Sequence, residues 1–208
     1  MKFQQADVQI IKKVVRYRGF FRIDEYHLRH PLYQGGYSNL VKREVLERGD
    51  AVVVVPYDPI NDNVVLIEQF RVGAMHRDYS PWLLECIAGM IEPDEQPEQV
   101  AIREAKEEAN LIIEAGMLIP MLQYLSSSGG TTEQIHLFLA LVPNIEASGV
   151  YGLADENEDI LVRLMPRTEA LALLEQGKIH NAATVIGLQW LALHYQRWQT
   201  IEGVNGEL

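Results

Sequence analysis

The chain is 208 residues long, 48% hydrophobic, and carries a formal net charge of −11 at pH 7. This length and composition suit one packed domain with at most a small appendage, and exclude a disordered or fibrous chain. The acidic balance excludes an extended nucleic-acid surface, and it means that an anionic ligand would need local arginines or divalent cations.

The opening MKFQQADVQIIKKVV lacks a basic flank followed by an apolar core and a small-residue cleavage site. No later run approaches the roughly 18 apolar residues of a membrane span. The expectation is a soluble cytoplasmic protein with no membrane partner. Residues 8–28 and 38–48 alternate in polarity and predict three antiparallel strands, the last two separated by the turn cluster at 33–37. AVVVVPYD at 51–58 and NVVLIEQF at 63–70 predict two core strands around an Asp-Pro-Ile-Asn-Asp-Asn turn. A small β domain over 1–49 and a main domain over 50–208 follow.

The apolar run WLLECIAG reads as a further strand leading into Ala88-Gly89. It holds the only cysteine, Cys86, which excludes an intrachain disulfide and reads as a small buried hydrophobe. Pro97 and Glu98 suit a helix start, and Asn110 suits a left-handed stop. Strands are predicted over 116–124, 134–142 and 160–165, and an apolar helical repeat runs through Ile186, Trp190, Leu193 and Trp198. The pattern is mixed α and β, without regular βαβ alternation.

Within the 97–110 helix, Glu104 and Glu108 are four residues apart and share a face, with Glu107 beside them. Like charges so placed repel, and carboxylates converging on a concave site call for cations. Arg103 and Glu107 can pair across one turn. Gly89 lets the backbone approach other groups closely, which would aim the Ala88 carbonyl at a hard cation.

Gly89, Glu95, Arg103, Glu104, Ala105, Glu107, Glu108 and Leu111 stand in the register of the Nudix box, and on these residues the chain resembles the Nudix hydrolase family. Asn110 replaces the family's glycine. Further segments extend the resemblance toward the bacterial ADP-ribose pyrophosphatases: RGFF at 18–21, VKREVLERG at 41–49, EQFR at 68–71, WLLE at 82–85, GGTTE at 129–133, GLADENEDI at 152–160 and GKIHNAATVIGLQWL at 177–191. Ser128 departs from the proline common in that branch.

The resemblance implies an α/β fold, a Nudix α/β/α sandwich preceded by a small antiparallel β domain exchanged across a homodimer. It also implies Mg²⁺-dependent cleavage of ADP-ribose to AMP and ribose 5-phosphate, with Mn²⁺ as a possible substitute. Glu104, Glu108 and the Ala88 carbonyl would hold metal, with Arg103 bracing the box through Glu107 or a neighbouring carboxylate. Phe20, Arg43, Arg71 and Glu133 would contact substrate, and Glu156 would be the base, with Glu158 as its support or an additional metal contact. The alternatives are hydrolysis of another nucleotide sugar such as GDP-mannose, and a non-catalytic ADP-ribose sensor.

Overall fold

The computed structural model describes residues 2–199. The chain divides into two units: residues 2–50 with 125–134, and residues 51–124 with 135–199. The loop at 125–134 therefore groups with the N-terminal strands, although the whole of 51–124 lies between them in the chain.

In the first unit, β1 (Gln9–Arg18), β2 (Arg22–Arg29) and β3 (Val41–Glu47) form an antiparallel sheet in that order. The alternation seen in the sequence becomes opposite faces of this sheet. The central strand buries Asp24 and Glu25. Burial of those carboxylates is offset by cations on β1, Lys13 at 2.8 Å from Asp24 and Arg16 at 2.8 Å from Glu25. The 125–134 loop joins β3 through Leu46 N–H to the Gly130 carbonyl at 2.8 Å.

The second unit is built on a mixed sheet with the path β10-β11-β5-β4-β9-β8. Its strands are β4 (Ala51–Asp58), β5 (Asn63–Phe70), β6 (Trp82–Glu85), β7 (Ile87–Met90), β8 (Leu118–Leu125), β9 (Gln134–Leu141), β10 (Gly149–Tyr151) and β11 (Ile160–Pro166). Every residue of β4 is buried. Its alternate side chains serve two cores. Val52 and Val54 pack with α1 (Pro97–Ala109), while Val53 and Val55 pack with α2 (Arg167–Glu175) and α3 (Ala182–His194). A strand covered on both faces reads as a continuous apolar run, as AVVVV does. The outcome is helices on both sides of a sheet, the α/β/α architecture expected, with each fully buried Val or Leu contributing roughly 1.5–3 kcal/mol. A short α4 (Gln196–Gln199) follows Tyr195, so the C-terminal helical repeat breaks after His194.

The run WLLECIAG is two strands, not one. β4 and β5 pair only beside their turn, at Tyr57 with Val64 and Asp58 with Asn63. They then diverge, and residues 82–90 fill the gap: β6 pairs with β5, and β7 pairs with β4. Cys86 sits at the switch, its N–H donating to Thr184 Oγ1 at 2.8 Å. Its thiol is pushed up to about 12 by burial, so it stays protonated and apolar at neutral pH.

Candidate active site

α1 starts at Pro97 and ends where Asn110 takes a left-handed conformation, φ 52° and ψ 28°. The Leu111 N–H closes on the Ala105 carbonyl at 2.9 Å, and the buried Leu111 side chain enters the core. Asparagine thus performs the stop that the family assigns to glycine, and its Oδ1 accepts from Lys106 Nζ. Val100, Ala101, Ala105 and Ala109 face the core, which turns Arg103, Glu104, Glu107 and Glu108 toward β7 and the loops around it.

Arg103 is the hub of this face. Its Nε and Nη2 donate to the two oxygens of Glu95 at 3.2 Å each. Its Nη1 donates to Glu104 at 2.8 Å and to Glu107 at 3.0 Å. Arg103 stays charged although burial opposes it, because Glu95 first and then Glu104 and Glu107 surround it with negative charge. Arg103 in turn holds the Glu95 carboxyl below its usual range, aided by the Glu92 N–H. Glu95 belongs to the box pattern but carries no assigned role in the sequence; its bidentate grip shows it anchoring the loop before α1 to the hub.

Glu108 is 3% exposed, and its Oε2 accepts from the Ala88 N–H at 3.0 Å. Burial pushes its carboxyl up to about 8; the Ala88 N–H and Arg71 oppose this, while Glu104 and Glu158 reinforce it. Burial likewise raises Glu104 to about 7, against the pull of Arg103 and with added repulsion from Glu107 and Glu158. Two neighbouring carboxyls raised by burial and by nearby negative charge mark a site short of positive charge. Among the described residues, no three His, Cys, Asp or Glu side chains already enclose a point where a metal could sit. The donors at hand, Glu104, Glu108 and the backbone at Ala88, are hard oxygens, and this set fits a hard divalent cation in atom type and charge. Gly89 supports the fit: a Cβ there would overlap the Glu104 carboxylate.

Glu158 lies on the loop between β10 and β11. Its Oε2 accepts from the Leu153 N–H at 3.1 Å, and its charge is felt by both Glu104 and Glu108. Glu156 is exposed at the end of a short 3₁₀ turn, Ala154–Glu156. The loop is tied to α1 by Gly152 N–H to the Glu107 carbonyl at 3.3 Å. Arg71, directly after β5, pairs with Glu85 and lies close enough to Glu108 to pull its carboxyl down. Ala88, Arg71, Arg103, Glu104, Glu107, Glu108 and Glu158 are therefore gathered in one unit. Phe20, Arg43 and Glu133 belong to the first unit. There, Phe20 is 86% exposed and meets Phe21 edge-on, Arg43 Nη1 donates to the Lys42 carbonyl at 2.8 Å, and buried Glu133 pairs with Arg48 at 3.2 Å. Glu85 and Asn181 were not distinguished by sequence pattern; a glutamate closing an apolar strand is the signal that could have found the first.

The NUDIX domain model matches residues 47–185. A protein of Escherichia coli strain K12 described as an ADP-ribose pyrophosphatase is 51% identical over 194 residues, covering 93% of this chain and 92% of that one. A protein of Haemophilus influenzae with the same description is 46% identical over 200 residues, covering 95% and 91%. A solved structure of an ADP compounds hydrolase superposes with a TM-score of 0.66 over 98% of this chain and 99% of its own, at 22% identity, a likeness of fold. No helix among the described residues is long and apolar enough to cross a membrane.

Proposed function

The chain belongs to the Nudix family, and on that premise we propose that it hydrolyses the pyrophosphate of ADP-ribose, giving AMP and ribose 5-phosphate. The observation that carries this reading is the half-buried Glu104, braced by Arg103, with the buried Glu108 held at Ala88, in a chain that matches relatives described as ADP-ribose pyrophosphatases over nearly its whole length.

A pyrophosphate resists water because its oxygens are already anionic, so the site must neutralise charge and orient the attacking oxygen. A divalent cation held by Glu104, Glu108 and the Ala88 carbonyl would supply both, with Mg²⁺ the ion proposed and Mn²⁺ its substitute. Arg103, itself paired with Glu95 and Glu107, holds the Glu104 carboxylate in place, and Arg71 offers a guanidinium to the phosphates. Water attacks phosphorus, the bridging P–O bond breaks, and the water's proton passes to a carboxylate of the 152–159 loop, Glu156 as base with Glu158 supporting it. Phe20 would present its ring to the adenine, and Arg43 and Glu133 would complete the substrate contacts.

A homodimer joined through the 1–49 domain, with that domain exchanged between copies, belongs to the same reading. What supports it is β1, ten residues on a sheet edge, where Ile10 and Ile11 are each 60% and Tyr17 58% exposed. Such an edge invites pairing unless it is covered.

The test is a substrate panel with Mg²⁺, following AMP from ADP-ribose and GMP from GDP-mannose. AMP release is expected. Preferred GMP release would reassign the substrate, and tight ADP-ribose binding without turnover would make the protein a sensor.

A further inference from the structure

Glu85 is 2% exposed, at the end of an apolar strand, and none of the steps above employs it. A buried carboxylate without partners would be costly, and this one has them on both oxygens. Its Oε2 accepts from Arg71 Nε at 2.9 Å and lies 2.8 Å from Nη2. Its Oε1 accepts from Asn181 Nδ2 at 3.1 Å.

Asn181 is itself fixed. It is the N-cap of α3, and its Oδ1 accepts from the Thr184 N–H at 3.0 Å and from Thr184 Oγ1 at 3.1 Å. The same Thr184 hydroxyl accepts from the N–H of Cys86. Cys86 is covalently joined to Glu85, so the hydrogen bonds close a ring: Cys86, Thr184, Asn181, Glu85. Every donor and acceptor in that ring has one direction only. The hydroxyl must give its hydrogen to Asn181 Oδ1, which leaves the Asn181 amide nitrogen facing Glu85. The orientation of the Glu85 carboxylate is thereby set before any ligand arrives.

The ring also reaches the segment that carries Arg71. The Arg71 N–H donates to the Pro81 carbonyl at 2.8 Å, closing the 71–81 loop. Within that loop Tyr79 stacks on His180, the neighbour of Asn181, with centroids 3.6 Å apart and planes 7° from parallel. Both ends of the Arg71 loop are therefore referred to the start of α3. Arg71 has a side chain 42% exposed, and Glu85 engages Nε and Nη2, so Nη1 lies outside the pair. A long exposed guanidinium gripped along one edge keeps its other edge directed outward, and it loses less freedom on meeting an anion than a loose one.

We propose that Glu85, oriented by Asn181, is the positioning residue that sets the Arg71 guanidinium for the substrate's pyrophosphate. This rests on the reading that Arg71 binds phosphate. Glu85 acts through Arg71 and touches no reacting atom, so its loss should weaken substrate capture more than turnover.

A double-mutant cycle with ADP-ribose and Mg²⁺ decides the matter, because groups acting through one contact give non-additive effects. Arg71→Ala should raise KM on the order of tenfold to a hundredfold, as loss of a charge-assisted contact does. Glu85→Gln should raise KM about fivefold or more with kcat within about twofold, in keeping with loss of pre-organisation. Added to Arg71→Ala, it should change KM no further. Asn181→Ser keeps a capping oxygen for α3 but has no amide to offer Glu85, and it should give a smaller KM rise that also vanishes in the Arg71→Ala background. It carries the cycle if Glu85→Gln does not fold. Multiplying effects, or a silent Glu85→Gln beside a defective Arg71→Ala, would overturn the positioning role alone. An Arg71→Ala enzyme with unchanged KM would overturn the positioning role and the phosphate role of Arg71 together.

Discussion

Glu104 occupies the space that a side chain on Gly89 would need: a Cβ at position 89 would stand 1.8 Å from Glu104 Oε1 and 2.4 Å from its Cγ. Overlap with the Cγ as well as the carboxylate means that the whole Glu104 side chain must rotate away. Gly89→Ala is therefore expected to lower kcat by about a hundredfold, the usual scale for misplacing a site group by an ångström or more. The measurement is kcat at saturating Mg²⁺, with the secondary structure checked by circular dichroism. Turnover within a factor of a few of the parent would mean that Glu104 is not needed where it stands.

Glu108→Gln should remove most turnover and leave the fold in place. The Gln side chain keeps an oxygen for the Ala88 N–H, the bond Glu108 makes at 3.0 Å, but loses the charge. Because burial already disfavours that charge, the metal-free variant should melt no lower than the parent. A kcat loss on the order of a hundredfold or more at high Mg²⁺ is expected for deleting a charged site ligand. Near-parental activity would remove Glu108 from the metal set.

The 152–159 loop offers two candidates with different surroundings. Glu156 is exposed, whereas Glu158 is tied to the Leu153 N–H and lies within the field of Glu104 and Glu108. The base should lose about two or more orders of magnitude in kcat on conversion to Gln, with ADP-ribose affinity nearly unchanged. Glu156→Gln is expected to give that signature and Glu158→Gln a milder one. The reverse order would exchange their roles, and two silent variants would place the base elsewhere.

Acid stability should depend on Glu25. Arg16 first, at 2.8 Å from Oε1, and then His27 hold its carboxyl down to about 2, against an ordinary value of 4.5. A depressed folded value contributes stability that is present above pH 4.5 and is lost as pH falls through about 2. Glu25→Gln should therefore be less stable than the parent at pH 6, with the gap closing between pH 4.5 and pH 2. Urea unfolding across that range reads the gap; one that persists undiminished at the acid end would show that the pair's charge is not its source.

The exposed edge of β1 predicts a homodimer. Light scattering at micromolar concentration should report twice the chain's 23.7 kDa. A monomer would count against an exchanged N-terminal domain.

What the sequence determined by itself was local. Pro97 and Asn110 bracket α1 because proline fixes its own φ at the start and asparagine tolerates the left-handed turn at the end, and Glu104 and Glu108 share a face because helical spacing puts them there. β4 and β5 were legible to the residue because their apolar runs end in turn-forming Asp and Asn. The box register followed from the same short-range spacing. Tertiary structure decided the rest. The split of WLLECIAG at Cys86 depends on β4 and β5 diverging, which no periodicity in an eight-residue run can express. α2 has Pro166 at its N-cap and no capping side chain, so its helical state rests on packing against the sheet. The grip of Glu85 on Arg71 and Asn181 joins residues 14 and 96 positions apart. Local patterning constrains which way a side chain faces along its own element; only closure of the chain on itself decides which distant polar group it meets, because a buried carboxylate must find its partners wherever the fold brings them.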